Sequence, residues 1–260
     1  MTENSYTLQT FPNISVVTVV FNRVDTIGAA IDSVVQQTRP AFEHVVQDGG
    51  SNDGTLEVIR ARARDEMSLV SASDRGIYDA INKGIGRAKG DVIGLMHSDD
   101  AFANPQALQW ISQAFEADVD GVYGDLEYVS AEDPNRVVRY WRAGAYSRSK
   151  LARGWMPPHP TLYLKRDVFE RFGDYDTDFR ISADYEAMLR YLTRGQIKLA
   201  YVPRVLVRMR LGGMSNGSVS NLIAKSREDY RAIRRHDVGG LGTLFLKNFS
   251  KVTQFVQRGR

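Results

Sequence analysis

The sequence predicts an α/β protein: a mostly parallel sheet with helices on both faces, followed by a C-terminal helical tail. Three observations carry this. Short β-branched runs alternate with segments of helical spacing through the first half. The runs end in turn clusters rich in Asp, Asn, Ser and Gly. A separate helically spaced apolar pattern closes the chain near its end.

The elements follow in order. Residues 14–21, "ISVVTVVF", form a buried strand. Residues 24–37 have helical spacing through Ile27, Ile31, Val34 and Val35. A second strand covers 42–47. "DGGSNDGT" is a turn in which Asp53 or Thr55 caps a helix running to about Arg64. A third strand covers 68–72. Ile77, Ala80, Ile81, Ile85 and Ala88 mark a helix that Gly90 ends. Residues 91–96 are the fourth strand, and Asn104-Pro105 opens the next helix.

Parallel sheets of this kind bind ligands outside the carboxyl ends of their strands. Those ends carry Asn22, Asp48, Asp74 and the adjacent pair Asp99/Asp100. A carboxylate-rich cleft along one sheet edge is therefore expected.

Beyond residue 121 the pattern is less regular. "GVYGDLEYV" and "NRVVRYWR" alternate as antiparallel strands, 144–160 is loop-like, 184–191 is helical and "KLAYVPRVLVRMR" is strand-like around Pro203.

Composition narrows the function. With no cysteine among 260 residues, disulfides and thiolate metal sites are excluded. No window approaches the roughly 18 apolar residues of a membrane span. The start, "MTENSYTLQTFPN", lacks the basic-then-apolar order of a signal peptide. The net charge of +3 hides an asymmetry: residues 203–260 hold 12 Lys/Arg against 3 Asp/Glu. Such a basic tail suits an anionic partner. Its basic residues form no nucleic-acid motif, and only Phe245, Phe249 and Phe255 could stack on bases.

Two like charges at one strand tip, Asp99 and Asp100, repel. They either form a turn that caps the next helix or hold a hard divalent cation with a phosphate. His97 beside them reads as strand packing or as a neighbour standing behind the site, rather than as a ligand. In "SDRGIYDAINKGIGRAKGD", Asp74, Arg75, Asp79, Asn82 and Lys83 sit beside a strand end, where Arg75 or Lys83 could neutralise a phosphate. "GIGRAKG" is not a dinucleotide fingerprint, and no NTPase-type phosphate loop occurs. In "RISADYEAMLR", Asp184 and Glu186 either serve the helix dipole or supply a general base.

"VVTVVFN", "DGGSNDGT", "SDRGIYDAINKGI", "GDVIGLMHSDD" and "ISADYEAMLR" fall in the order and spacing of inverting glycosyltransferases of family 2, which have the Rossmann-like GT-A fold. The resemblance covers roughly residues 14–215 and is similar to bacterial enzymes that build exopolysaccharide, capsule or lipopolysaccharide. It implies a GT-A domain over 1–215, with a nucleotide-binding half at about 14–124 and an acceptor half at about 125–215. Residues 216–260 are left as a basic amphipathic helical tail.

The resemblance also implies roles. Phe21, Asn22 and Asp48 would hold the nucleotide base, with Asp74 close to it. Asp99 and Asp100 match the D-x-D-type site that meets ribose and Mn²⁺ or Mg²⁺. Asp184 matches the base that deprotonates the acceptor. The family often has Glu-Asp there, where this chain has Ala183-Asp184, which makes Asp184 the better candidate and Glu186 the second. His159 in "PPHPT" falls where a His near acceptor or diphosphate is often found, and Arg210, ahead of a Gly212-Gly213 loop, would lie over the diphosphate. The implied reaction moves a sugar, from a UDP-sugar first of all, to a hydroxyl of a glycan or polyprenyl-diphosphate-linked sugar.

A sugar-phosphate nucleotidyltransferase would carry a Gly-rich basic loop after the first strand, which "FNRVDTIGAA" lacks. A non-catalytic nucleotide-sugar-binding or scaffold protein would not need both the metal pair and the base. In the tail, Leu241, Leu244, Phe245, Phe249, Val252 and Val256 recur at helical spacing, with Lys247, Lys251 and Arg258 at polar positions. That helix either docks on its own domain or lies on an anionic bilayer. The second alternative makes the protein a peripheral one on the cytoplasmic face of the membrane.

Overall fold

The computed structural model describes residues 11–212 and 219–253 of the chain, with the side chains of 219 and 250–253 excepted. Gly213, Val256 and Arg258 lie outside the described residues, as do the side chains of Lys251 and Val252.

The first half alternates as its periodicity requires. β1 (Ile14–Val20), α1 (Ile27–Val35), β2 (Glu43–Asp48), α2 (Thr55–Arg60), β3 (Met67–Ser71), α3 (Ile77–Arg87) and β4 (Val92–Leu95) follow one another. The helices are shorter than their apolar spacing suggests, because turns take over at their ends. Asp53 Oδ1 receives the Thr55 amide at 3.0 Å, the first of α2. α3 ends at Arg87, three residues before Gly90.

β1 is buried at every position because both its faces are covered. Val17 and Val19 join Ile81 and Ile85 of α3 in one core. Val16 joins Ala30 and Val34 of α1 in a second, and Val20 meets Ile27, Ile31 and Ile59 in a third. α3 lies so close to the sheet that a Cβ at Gly84 would stand 2.4 Å from Val17 Cγ1.

The second half contributes β5 (Ala101–Phe102), α4 (Ala107–Ala114), β6 (Gly121–Val129), β7 (Val137–Trp141), α5 (Arg148–Leu151), β8 (Tyr163–Lys165), α6 (Arg166–Phe172), α7 (Ala183–Thr193) and β9 (Leu199–Arg210). The strands form one sheet in the order β3-β2-β1-β4-β8-β6-β9-β5, with β7 on β6. β1 pairs in parallel with β2 and β4, β2 with β3, and β6 with β9. β8 is antiparallel to both β4 and β6 and joins the two halves. β6 and β7 are antiparallel, as their alternation predicts. The order turns back between β1 and β4, which puts their exits at the topological switch point.

Two helices complete the described chain: α8 (Val219–Arg235) packs on α7, and α9 (Leu241–Thr253) packs on α8. α9 docks by a mixed ridge of Thr243, Leu244 and Lys247, with Leu244 partly buried against the core. Thr243 donates to the Ala152 carbonyl at 2.8 Å. Lys247, 3 % exposed, reaches Asp229 at 2.7 Å and stands 3.4 Å from the centre of the Tyr185 ring. Lys247 is thus no solvent-facing residue of an amphipathic helix. The apolar ridge points outward instead: Leu241, Phe245 and Phe249 are exposed, with the two Phe rings stacked at 6.0 Å. Among the described residues no helix is long and apolar enough to cross a membrane.

Candidate active site

The exits of β1 and β2 are bonded into one unit. Asn22 adopts a left-handed conformation (φ 50°). Its amide donates to Ser51 Oγ at 2.8 Å, and its Oδ1 accepts from the Asn52 amide at 3.0 Å. Asp48, fully buried, accepts from the Gly50 and Ser51 amides at 3.0 Å and from the Ser51 and Ser71 hydroxyls at 2.5 and 2.6 Å. Those four donors occupy both oxygens, so Asp48 closes its own loop. It does not present a carboxylate to the cleft.

Phe21 projects 57 % exposed above this unit. It converges with Asp74 over Gly49: a Cβ there would lie 2.5 Å from Asp74 Oδ2 and 3.3 Å from Phe21 Cδ2. Asp74 Oδ1 accepts the Gly76 amide at 2.8 Å. An aromatic face beside a carboxylate can take a flat heterocycle that carries an N–H. Arg75 and Lys83 stand at the rim, where both pair with Asp79, at 3.1 and 2.9 Å. Lys83 also donates to the Ser73 carbonyl.

At the exit of β4, Asp100 is 2 % exposed. Its Oδ1 accepts the Arg210 amide at 3.2 Å, while its buried Oδ2 has no hydrogen-bond partner among the described residues. Burial and the neighbouring Asp99 push its carboxyl well above the usual carboxylate range, and the amide and charge of Arg210 oppose this. A buried carboxylate oxygen without a donor is costly unless a cation meets it. The residues therefore fit a hard divalent ion held by Asp100 and Asp99. Among the described residues no group of three His, Cys, Asp or Glu forms a full cage. Further ligands would come from water or a bound diphosphate, which is the habit of Mg²⁺ and similar ions.

Asp184 sits in the first turn of α7. The Tyr78 hydroxyl lies 3.2 Å from its Oδ1 and 2.9 Å from the Ile181 carbonyl. Tyr78 stacks on Tyr175 at 5.8 Å, and Tyr175 hydroxyl meets His159 Nε2 at 2.8 Å. His159 is buried and its ring stands 5.7 Å from that of His97. Burial pushes His159 down to about 4 and lowers His97 as well, so both rings are neutral near pH 7. His97 lies within electrostatic reach of both Asp99 and Asp184.

Glu186 does not share this environment. Its side chain is fully buried, 2.9 Å from His236 Nε2 and 3.1 Å from Arg190. Burial pushes its carboxyl up, but the His236 and Arg190 bonds together outweigh burial and hold it below the ordinary range. Two residues apart on a helix, Asp184 and Glu186 point about 200° apart, so one carboxylate faces the cleft and the other faces α8. The i,i+4 spacing of Glu186 and Arg190 was the sequence signal for this.

Two contributors were not singled out from the sequence: Tyr78 and Tyr175. Tyr78 stands at the second position of a helix that begins at a strand exit, which is the signal that could have found it.

The sequence profile described as Glycosyl transferase family 2 matches residues 15–181. An uncharacterized glycosyltransferase of Mycobacterium tuberculosis is 33% identical over 184 residues, covering 69% of this chain and 68% of its own. The PGL/p-HBAD biosynthesis glycosyltransferase of Mycobacterium bovis is 27% identical over 221 residues, 82% of this chain and 83% of its own. Among solved structures, the mannosyltransferase PcManGT of Pyrobaculum calidifontis, in complex with GDP-Man and Mn²⁺, superposes with a TM-score of 0.67 at 19% identity. The match covers 95% of this chain and 74% of that one, and supports the GT-A fold. The profile spans the strand exits that build the cleft, from β1 to the approach to α7, and with these relatives it shows that the chain belongs to glycosyl transferase family 2 and is a glycosyltransferase.

Proposed function

We propose that the protein moves a sugar from a nucleoside-diphosphate sugar to a hydroxyl of a glycan or lipid-linked sugar, with inversion. One observation carries this reading: the buried Asp100 Oδ2 has no hydrogen-bond partner among the described residues, at a strand exit whose Asp99 acts electrostatically on His97 together with Asp184. Phe21 and Asp74 would take the base, with Asn22 and Asp48 shaping the loop beneath it. Arg210, beside Asp100, would face the diphosphate. A divalent ion held by Asp100 and Asp99, Mn²⁺ or Mg²⁺, would supply Lewis-acid stabilisation of the leaving diphosphate.

Asp184 acts on the acceptor. The Tyr78 hydroxyl shares its one proton between the Ile181 carbonyl at 2.9 Å and Asp184 Oδ1 at 3.2 Å, which leaves the other Asp184 oxygen for the acceptor hydroxyl. As the acceptor oxygen bonds to the anomeric carbon, the bond from that carbon to the diphosphate oxygen breaks. The hydroxyl proton passes to Asp184, and the nucleoside diphosphate departs. Such general-base help is worth about 10²–10⁴-fold. One displacement inverts the anomeric centre. Neutral His159, 2.8 Å from the Tyr175 hydroxyl, adds no cation that would pair with Asp184.

Thermal unfolding with UDP-, GDP-, TDP- and CMP-sugars, each with and without Mn²⁺, tests the site. A UDP-sugar is the first choice, and GDP-Man in the mannosyltransferase complex makes a GDP-sugar the second. A donor at about 100 times its Kd adds roughly 2.7 kcal/mol. Metal-dependent stabilisation that Asp100→Asn abolishes is the expected result. Stabilisation by no sugar nucleotide, with the fold intact, would sink the reading.

We further infer that α9 rests on an anionic bilayer near a lipid-linked acceptor. Support comes from the outward ridge of Leu241, Phe245 and Phe249, and from the exposed Leu222 and Ile223 of α8 beside it. The segment's positive balance complements anionic lipid. Co-sedimentation with phosphatidylglycerol vesicles should fall for the Phe245→Ser, Phe249→Ser double variant. Equal binding by both proteins would remove this ridge from the interface.

A further inference from the structure

Residues 180–182 lead into α7, whose first amides have no preceding turn to satisfy them. Glu228, on α8, accepts from the three backbone amides of this lead-in segment, the last of them that of Ser182, the N-cap of α7. Its Oε1 takes the Arg180 amide at 3.0 Å, and its Oε2 takes those of Ile181 and Ser182 at 2.8 and 2.9 Å. From the other side Tyr78 of α3 bonds the Ile181 carbonyl at 2.9 Å. The segment is gripped between α3 and α8, two residues ahead of Asp184.

The grip is itself braced. Glu186 bonds His236, just beyond α8, at 2.9 Å, which ties α7 to the same helix. Asp229, next to Glu228, reaches Lys247 of α9 at 2.7 Å. Neither contact touches the cleft, yet together they fix the helix that carries Glu228.

A carboxylate suits the task for two reasons. Its two oxygens offer about four acceptor sites, enough for three amides. Its charge is favoured at a helix N-terminus. A glutamine in its place would keep one acceptor oxygen and lose the charge.

We propose that Glu228 is a positioning residue for Asp184: it fixes the start of α7 so that the Asp184 carboxylate meets the acceptor hydroxyl. This rests on Asp184 being the general base. Glu228 bonds the backbone ahead of α7 and makes no hydrogen bond to Asp74 or Asp100. Its loss therefore acts on proton transfer and spares donor binding.

Steady-state kinetics of Glu228→Ala, Glu228→Gln, Asp184→Asn and the Asp184→Asn, Glu228→Ala double variant test this, with donor affinity read by calorimetry. Glu228→Ala should lower kcat by about 10- to 10²-fold, the scale of a small misplacement of a reacting group, with donor Kd unchanged. Glu228→Gln should lose less. In the Asp184→Asn background Glu228→Ala should cost nothing further, because the two act as one unit. An equal loss in both backgrounds would show a general structural effect and overturn the proposal. So would wild-type kcat in Glu228→Ala while Asp184→Asn is inactive, and that result would leave the base assignment standing. Wild-type kcat in Asp184→Asn would overturn the base assignment and this proposal with it. If Glu228→Ala does not fold, Glu228→Gln with and without Asp184→Asn decides by the same criteria.

Discussion

The hydroxyl of Tyr78 lies 3.2 Å from Asp184 Oδ1, which joins the helix after β3 to the first turn of α7 across more than a hundred residues of chain. The contact fixes one oxygen of the proposed base. Tyr78→Phe removes the hydroxyl and keeps the ring on Tyr175. The expected outcome is a kcat about ten-fold lower, equivalent to roughly 1.4 kcal/mol, with donor Kd unchanged. Wild-type turnover in Tyr78→Phe would show that the hydroxyl does not steady Asp184.

His44 gives the fold a defined acid limb. Its Nε2 lies 2.8 Å from Thr18 Oγ1, its Nδ1 is buried without a partner among the described residues, and burial pushes it down to about 4. The unfolded chain takes up this proton near pH 6.5, before the folded one does. The stability contribution is thus complete above about 6.5 and lost as pH falls towards 4, at a cost of up to about 3 kcal/mol. His44→Gln should shrink the loss between pH 7 and pH 5, read as denaturant midpoints. His159, also near 4, leaves a residual slope. An unchanged slope in His44→Gln would mean that His44 titrates normally in the fold.

Most of the first half was legible because its main elements are apolar runs or helices long enough to show a period. β1 carries seven buried residues, and α3 repeats its apolar positions over eleven. β8, with three residues, and β5, with two, have no period to read, yet β8 joins the two halves of the sheet. The strand-exit acids were legible as a group but not in their duties. A carboxylate at a strand exit reads the same whether it bonds its own loop, as Asp48 does, or is left with a buried oxygen lacking a donor, as Asp100 is. The tail was the hardest to read, since helical spacing finds an apolar ridge without saying which ridge docks. Lys247 and Thr243 went inward because Asp229 and the Ala152 carbonyl wait there, at positions remote in sequence.

That docking predicts costs of very different size for two nearby residues. Lys247→Ala strips a buried partner from Asp229, whose side chain is 1 % exposed and keeps Lys225 at 3.1 Å. Breaking a buried pair costs about 3–5 kcal/mol, and the remaining Lys225 favours the lower end. Phe245→Ser, at a side chain facing outward, should stay within about 0.5 kcal/mol. Urea midpoints of the two variants read the difference. A neutral Lys247→Ala would mean that α9 is not held against α8 in solution.

Gly49→Ala separates stability from binding at the proposed nucleotide slot. It lacks the positive φ of Gly50, so alanine fits its backbone. The alanine Cβ, however, would stand 2.5 Å from Asp74 Oδ2, far inside contact distance. The Asp74 side chain can swing aside, which keeps the cost to the fold small. It cannot swing aside and still hold the edge of a base stacked on Phe21. A hydrogen bond to a charged group contributes about 1.5–3 kcal/mol, so Gly49→Ala should weaken nucleoside-diphosphate binding about ten-fold or more. Calorimetric titration with the diphosphate reads this, alongside a Tm within a few degrees of wild type. If Kd and Tm both stay at their wild-type values, Asp74 does not contact the base, and the slot between Phe21 and Asp74 is not where the nucleotide sits.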